Sequence, residues 1–513
     1  MQNSPVNRPA RAAKVVALLF ALFGCTDLDE TPTSTISPDN FYQTEQEIRG
    51  GLAGAYSNLR VVQDAYFNIS QVSSDETIVP TRGQDWFDNG KWLELHRQTW
   101  GAASAITLDD VNGAYNAMFT GVSRTNVVLS ALQPNSIPNQ PTVEAELRAL
   151  RAYYYYLLLD MFGNVPIATD VELAPRPQNT RAEVFAFVET ELLAARDALP
   201  LRRDAANAGR MTRGAVDAIL ASLYLNAEVF SGTVTAGGLQ KGAPRWADAV
   251  TASDRILNSG VYSLATNWRS IFAPNNDQSP EIIFSVRNTT TPDIGLTFIN
   301  RAGHYNSYTS PGGWNGFSTL ADTYNAFDAA DQRRQIFLVG PQFSLETGAP
   351  INDRAGNRLS FTATIADVTQ ARENEGIRVV KFPFDPAHAA QNMGNDFPIF
   401  RLGEIVLIKA EALNELGRTA EAVTLVNTLR ARVFTPPKPL TGIASVAAFR
   451  TAILSERLFE MNNEAKRRQD MIRMGVFTAP FQYKQQREPY RILFPIPQTQ
   501  IQSNPLLVQN PGY

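Results

Sequence analysis

Arg401-Leu-Gly-Glu-Ile-Val-Leu-Ile-Lys-Ala-Glu-Ala-Leu-Asn-Glu-Leu-Gly417-Arg-Thr-Ala-Glu-Ala422 is the stretch from which the fold is read. Leu402 to Leu416 keeps apolar residues at helical spacing, and Gly417 stops the run. Thr419 restarts the period at once and carries it to Arg432. Two helices joined by so short a turn lie antiparallel, and small residues stand where they must touch. Each such pair has an apolar face that it cannot bury alone, so pairs stack. Thr212–Phe230 and Trp246–Asn258, separated by the Gly-rich insert 231–242, read as a second pair.

Working outward, the same period predicts helices over Phe41–Leu59, Asp110–Leu132, Thr142–Phe162 and Thr180–Leu199. Thr180 stands as an N-cap, with Glu183 as its capping-box partner. Gly163 and then Pro166 end the third of these. Residues 64–105 and 262–398 are instead loop-rich, with aromatics among Gly, Pro, Asn and Asp. Short strands are expected at Ile282–Val286 and Ile377–Phe382, and 484–513 reads as irregular. The helical pair around Gly417 resembles a tetratricopeptide hairpin. The expected fold is therefore mainly α: a tetratricopeptide-like helical-pair scaffold (41–63, 106–260, 399–480), a large loop-rich face and a few short strands, all in one domain over 41–513. Loops this long in a compact body are usually functional.

The N-terminus speaks to location. Arg8, Arg11 and Lys14 precede nine apolar residues, Val15 to Phe23, and then Gly24 and Cys25. Nine helical residues span about 14 Å, far short of a ~30 Å hydrocarbon core, so 1–24 reads as a removable signal. Cys25 is the single cysteine of the chain. Leu22-Phe23-Gly24-Cys25 resembles a bacterial lipobox, which implies a lipid on Cys25; the alternative is an ordinary signal peptide with a stray cysteine. Residues 25–40 read as an acidic, Pro/Ser/Thr-rich tether. With Cys25 acylated, no thiol remains for disulfides, a cysteine nucleophile or a thiolate zinc site. Loss of three basic residues moves the formal charge from −4 to −7, which does not favour nucleic acid.

Five motifs in order along the chain carry a family resemblance. They are Glu144–Leu157 with Phe162-Gly-Asn-Val-Pro166, Gly209–Gly214 with Ala221–Leu225, Arg401–Gly417, Glu456–Arg473, and Pro495-Ile-Pro497 through Tyr513. Together, behind a lipobox, they resemble the SusD/RagB nutrient-binding outer-membrane lipoproteins. The resemblance implies a non-catalytic, cell-surface protein that binds a glycan or other nutrient and caps a SusC-like TonB-dependent transporter barrel. No cofactor or metal site is read from the residues, and the scattered Asp and Asn never form the loop spacing of a dedicated calcium site, which leaves bound calcium open.

Residues 73–100 hold the strongest ligand candidates. Three of the six tryptophans fall between 86 and 100. Trp86 and Trp92 offer flat apolar faces to the C–H side of a sugar, and Arg82, Asp85 and Asn89 offer hydroxyl partners. The second half contributes Tyr305, Tyr308, Trp314 and Asn315. Trp100 and Tyr153–Tyr156 read as core. The rivals are a surface glycoside hydrolase, which needs two carboxylates about 5–10 Å apart, and a scaffold that only holds other proteins. No zinc-protease, nucleophile-elbow or EF-hand motif occurs, and there are three histidines.

Overall fold

The computed structural model describes residues 2, 42, 44–132, 137–202 and 204–513. Cys25, the expected tether and, apart from Gln2, the expected signal segment lie outside the described residues. The scaffold helices are α1 (Glu45–Ser57), α2 (Asn112–Ala131), α3 (Gln140–Phe162), α4 (Arg181–Arg196), α5 (Arg213–Leu225), α6 (Trp246–Leu257), α7 (Leu402–Glu415), α8 (Thr419–Ala431), α9 (Val446–Met461) and α10 (Arg467–Arg473). Their starts follow local chemistry. Thr44 opens α1 and Thr180 opens α4, each through a reciprocal capping box with the glutamate three residues on.

The helices stack in series. α1 packs on α2, α2 on α3, α3 on α4, α4 on α5 and α5 on α6. α6 then packs on α7, although residues 258–401 lie between them in sequence, and α7 packs on α8 and α9. The loop-rich segment is thus an insertion into an otherwise continuous stack. α3 runs through its centre and is buried on nearly every side. Tyr153 to Tyr156 belong to the core, as the sequence indicates. The Tyr154 hydroxyl donates to the Ala55 carbonyl of α1 at 2.6 Å, and Tyr156 shares a 2.8 Å bond with Ser222 of α5.

The insertion is fastened to this stack by charge. Its strand β1 (Ile282–Val286) pairs antiparallel, with irregular register, with β2 (Phe397–Arg401), which runs straight into α7. At that junction Arg401 is wholly buried and reaches Glu281, Glu460 and Glu464 at 2.7–3.0 Å. Arg333, also from the insertion, bonds Asp331, Glu456 and Glu460. Burial pushes the Glu460 carboxyl up, but the guanidiniums of Arg432, Arg401 and Arg333 hold it well below the usual range. The Glu456–Arg473 motif is therefore a set of acids and bases buried as partners, the condition under which charges are tolerated inside a protein.

The structure departs from the expected pattern at several points, and α9 and α10 are helices that the sequence reading did not name. Residues 64–105 carry buried helices at Ala65–Val72 and Lys91–His96. Tyr66 to Val72 are all buried, and the eight residues of Ala65–Val72 are too few for a helical period to repeat. The strand expected at Ile377–Phe382 reduces to Arg378–Val379, paired with Phe337–Leu338.

Candidate functional site

The early and late loop segments meet through backbone. Ile78 and Ser318 exchange hydrogen bonds of 2.8 and 2.9 Å, which brings residues 82–90 against residues 303–318. Arg82 and Asp85 close a tight turn by mutual backbone bonds, with Gly83 at φ +65°, where a side chain is disfavoured. The chain then places Trp86, Asp88 and Asn89 at φ +61°, +40° and +55°. Positive φ at a bulky tryptophan is costly, and such strain persists where the surroundings demand it.

The surroundings here are the second loop. The Trp86 indole N–H donates to the Trp314 carbonyl at 2.7 Å, and its ring packs against Gly316, where a Cβ would come within 2.2 Å of it. Trp86 also meets Trp92 and Phe317 edge-on. Trp86 stays half-buried, Trp314 is 37% exposed and Phe87 is 54% exposed. Beside them the Tyr305 hydroxyl donates to Asp85. Burial, with Asp85 adding to it, pushes that phenol up to about 12. The Arg354 guanidinium covers the Tyr305 ring at 4.0 Å, pairs with Glu373 and lies 3.7 Å from Asp85. Asn89 is exposed at the turn. The result is a rim of aromatic faces interleaved with carboxylate, guanidinium, phenol and amide groups.

Four residues expected to touch a ligand are turned inward. Trp92 is 4% exposed and its indole N–H is spent on Asp88 at 2.6 Å, so it offers no free face. Tyr308 is buried against Phe384 and His388 and accepts from the Asn300 amide. Arg82 is buried and donates to the Asn315, Arg372 and Glu375 carbonyls and the Ser318 hydroxyl. Asn315 is 0% exposed, and its side-chain oxygen accepts from Arg378 at 2.6 Å. Residue type drew attention to these four, but contacts across the loops consume them. Conversely, Arg354, Glu373 and Gly316 carried no signal of their own in the sequence. Phe87 did, lying next to Trp86 in the aromatic run.

Two of the three histidines are held inside the structure. His304 is buried, accepts from the Asn306 amide on Nδ1 at 3.1 Å and therefore donates from Nε2 to Glu373 at 3.0 Å. Burial lowers its pKa, and burial lowers that of His96 to about 4. Among the described residues no group of three or more His, Cys, Asp or Glu could hold a metal ion.

A stacked helical-pair scaffold with one long insertion, presenting loop-borne aromatics at its surface, defines a class of protein that also emerges from comparison. Residues 280–513 match the SusD family, and residues 28–225 match a family described as starch-binding associating with outer membrane. The chain belongs to the SusD/RagB family. SusD-like protein P25 of Formosa agariphila is 24% identical, over 97% of this chain and 98% of that one. The starch-binding protein SusD of Bacteroides thetaiotaomicron is 24% identical, over 87% and 85%. The fold is similar to that of surface glycan-binding protein A from Bacteroides thetaiotaomicron in complex with laminarihexaose, with a TM-score of 0.73 at 21% identity, over 91% of this chain and 99% of that one.

Proposed function

We propose that this protein binds a glycan at the cell surface and delivers it to a TonB-dependent outer-membrane transporter, without catalysing its breakdown. One observation carries the reading: Trp86 and Trp314, 228 residues apart, are hydrogen-bonded into one partly exposed aromatic rim. Indole faces cover the C–H side of sugar rings, and Asp85, Asn89, Tyr305 and Arg354 surround them with hydroxyl partners. Relatives named for starch and laminarihexaose binding support the ligand class. The lipobox-like Leu22–Cys25 and the outer-membrane description of one matching family support an anchor on Cys25 and a location at the outer membrane.

The hydrolase rival finds little support at this rim. A general acid needs a raised pKa. Burial pushes the Glu373 carboxyl up, but hydrogen bonds from Arg354 and His304 bring it below the usual range. Calorimetric titration with laminarihexaose and maltohexaose tests the proposal. Binding is expected in the wild type and is lost in Trp86→Ala and Trp314→Ala; unchanged affinity in both variants would discard this rim. Release of reducing ends from either sugar would restore the enzyme reading. Co-purification with a large β-barrel, and mass spectrometry of the N-terminal peptide for acylated Cys25, test the delivery and anchoring parts.

A further inference from the structure

The two aromatic loops rest on a pair of charges that no acid neutralises by direct contact. Arg378 is wholly buried and Arg82 nearly so. Every hydrogen-bond acceptor of both is a neutral oxygen. Arg82 donates to the Asn315 carbonyl at 2.8 Å, to the Arg372 and Glu375 carbonyls at 2.5 and 2.9 Å, and to the Ser318 hydroxyl at 3.0 Å. Arg378 donates to the Asn315 side-chain oxygen at 2.6 and 3.2 Å, to Ser318 at 2.9 Å, and to the Glu373, Glu375 and Gly376 carbonyls. Asn315, Ser318 and the Glu375 carbonyl are thus shared between the two guanidiniums.

Burial pushes both arginines down, Arg82 to about 10, and the Arg82 charge lowers Arg378 further. Two like charges side by side in a dry interior are expensive, and an apolar filler relieves that cost while leaving the carbonyls unpaired, so the two effects offset. Global stability therefore does not account for them. The planar fork of arginine does one thing an apolar filler cannot: it fixes several carbonyls in one geometry. The carbonyls fixed here belong to residue 315, next to Trp314, and to residues 372–376, which flank Arg82. Arg82 itself begins the turn that displays Trp86. Asn315 is held at φ +52°, a conformation that the two guanidiniums pin from both its main-chain and side-chain oxygens.

We infer that Arg378 and Arg82 are positioning residues, a buried two-arginine clamp that holds the Trp86 and Trp314 loops at the spacing a sugar requires. The inference rests on the glycan-binding reading above. It predicts that Arg378→Met leaves the melting temperature within a few degrees of wild type while freeing the loops. Amide exchange, measured without ligand, is expected to quicken at least tenfold in residues 82–90 and 312–318 and to stay unchanged in α2 and α3. Laminarihexaose and maltohexaose are the binding probes. The Kd of the one that binds is expected to rise at least tenfold in the wild-type background but less than threefold in a Trp314→Phe background, because both changes act on one element.

Asn315→Gly, which keeps the positive φ and removes the shared acceptor, gives the same comparison should Arg378→Met fail to fold. Exchange unchanged in both loops, or raised throughout the chain, overturns the clamp. Freed loops with unchanged affinity overturn its role in binding. A wild type that binds neither sugar sinks the glycan reading instead, and exchange alone then decides the clamp.

Discussion

Gly316→Ala isolates the geometry of the rim from its chemistry. Gly316 touches no ligand in the proposed reading; it supports the Trp86 ring from beneath. Its φ lies outside the range that favours glycine, so alanine is allowed by the backbone. The added methyl would sit 2.2 Å from Cε2 and 2.4 Å from Cζ2 of Trp86, and one of the two must move. The indole is half-exposed and the backbone is not, so the indole moves. It then loses the 2.7 Å bond to the Trp314 carbonyl, which costs the fold about 1 kcal/mol. The larger effect is on binding. Half of an aromatic's ~150–250 Å² at ~25 cal/mol/Å² is about 2–3 kcal/mol, a fall in affinity of roughly 30- to 140-fold. Calorimetry with laminarihexaose or maltohexaose measures it, with near-ultraviolet circular dichroism reporting the moved indole. Gly316→Ala/Trp86→Ala should bind no worse than Trp86→Ala alone. The reasoning is refuted if Gly316→Ala binds as wild type while Trp86→Ala does not.

Trp92→Ala should destabilise the fold by about 3–5 kcal/mol, as expected for a large aromatic removed from a core, whereas Trp92→Phe should bind glycan as wild type does; weakened sugar binding by a stable Trp92→Phe would return that ring to the rim. Glu76 predicts a pH effect of definite sign. Burial raises its carboxyl to about 8, so between the ordinary value near 4.5 and 8 the folded state holds a proton that the unfolded state lacks, and stability falls as pH rises. The loss is about 3 kcal/mol by pH 7. Glu76→Gln should therefore gain melting temperature relative to wild type from pH 5 to pH 8, and a constant difference across that range would contradict the assignment. Glu460 behaves oppositely: its folded pKa is depressed, so its stabilising share is present above the ordinary carboxylate range and lost as pH falls through the folded value. Glu460→Gln at pH 7, which leaves Arg333, Arg401 and Arg432 undercompensated, should lower unfolding free energy by about 3–5 kcal/mol in denaturant titration.

What could be read from the chain alone was set by local physics. Helices α1 to α8 could be read from their period, and their ends wherever a cap is encoded, as at Thr180 with Glu183 and at Gly417, whereas α9 and α10 were not read as helices. The helix at Ala65–Val72 escaped because its eight residues make little more than two turns, too short for a period to repeat. The family could be recognised because its motifs are largely structural: the tyrosine run of α3 and the acids and bases of Glu456–Arg473 are buried against partners far away in sequence.

The aromatic rim divides differently. That tryptophans clustered with glycines in residues 82–92 was plain, as was a second aromatic stretch at 304–317. Which of these side chains face outward was not, because exposure is a property of the packing between loops rather than of either loop. Trp86 and Trp92 are alike in sequence, yet one packs on Gly316 and stays partly exposed while the other is buried with its indole N–H on Asp88. Arg82 and Asn315 look like ligand groups until the fold brings Arg378 and the 372–376 carbonyls to them. Sequence determined the scaffold, since helix periodicity and capping act over a few residues. Only the tertiary structure decided the candidate site, since Trp86 and Tyr305 are oriented by partners 228 and 220 residues away.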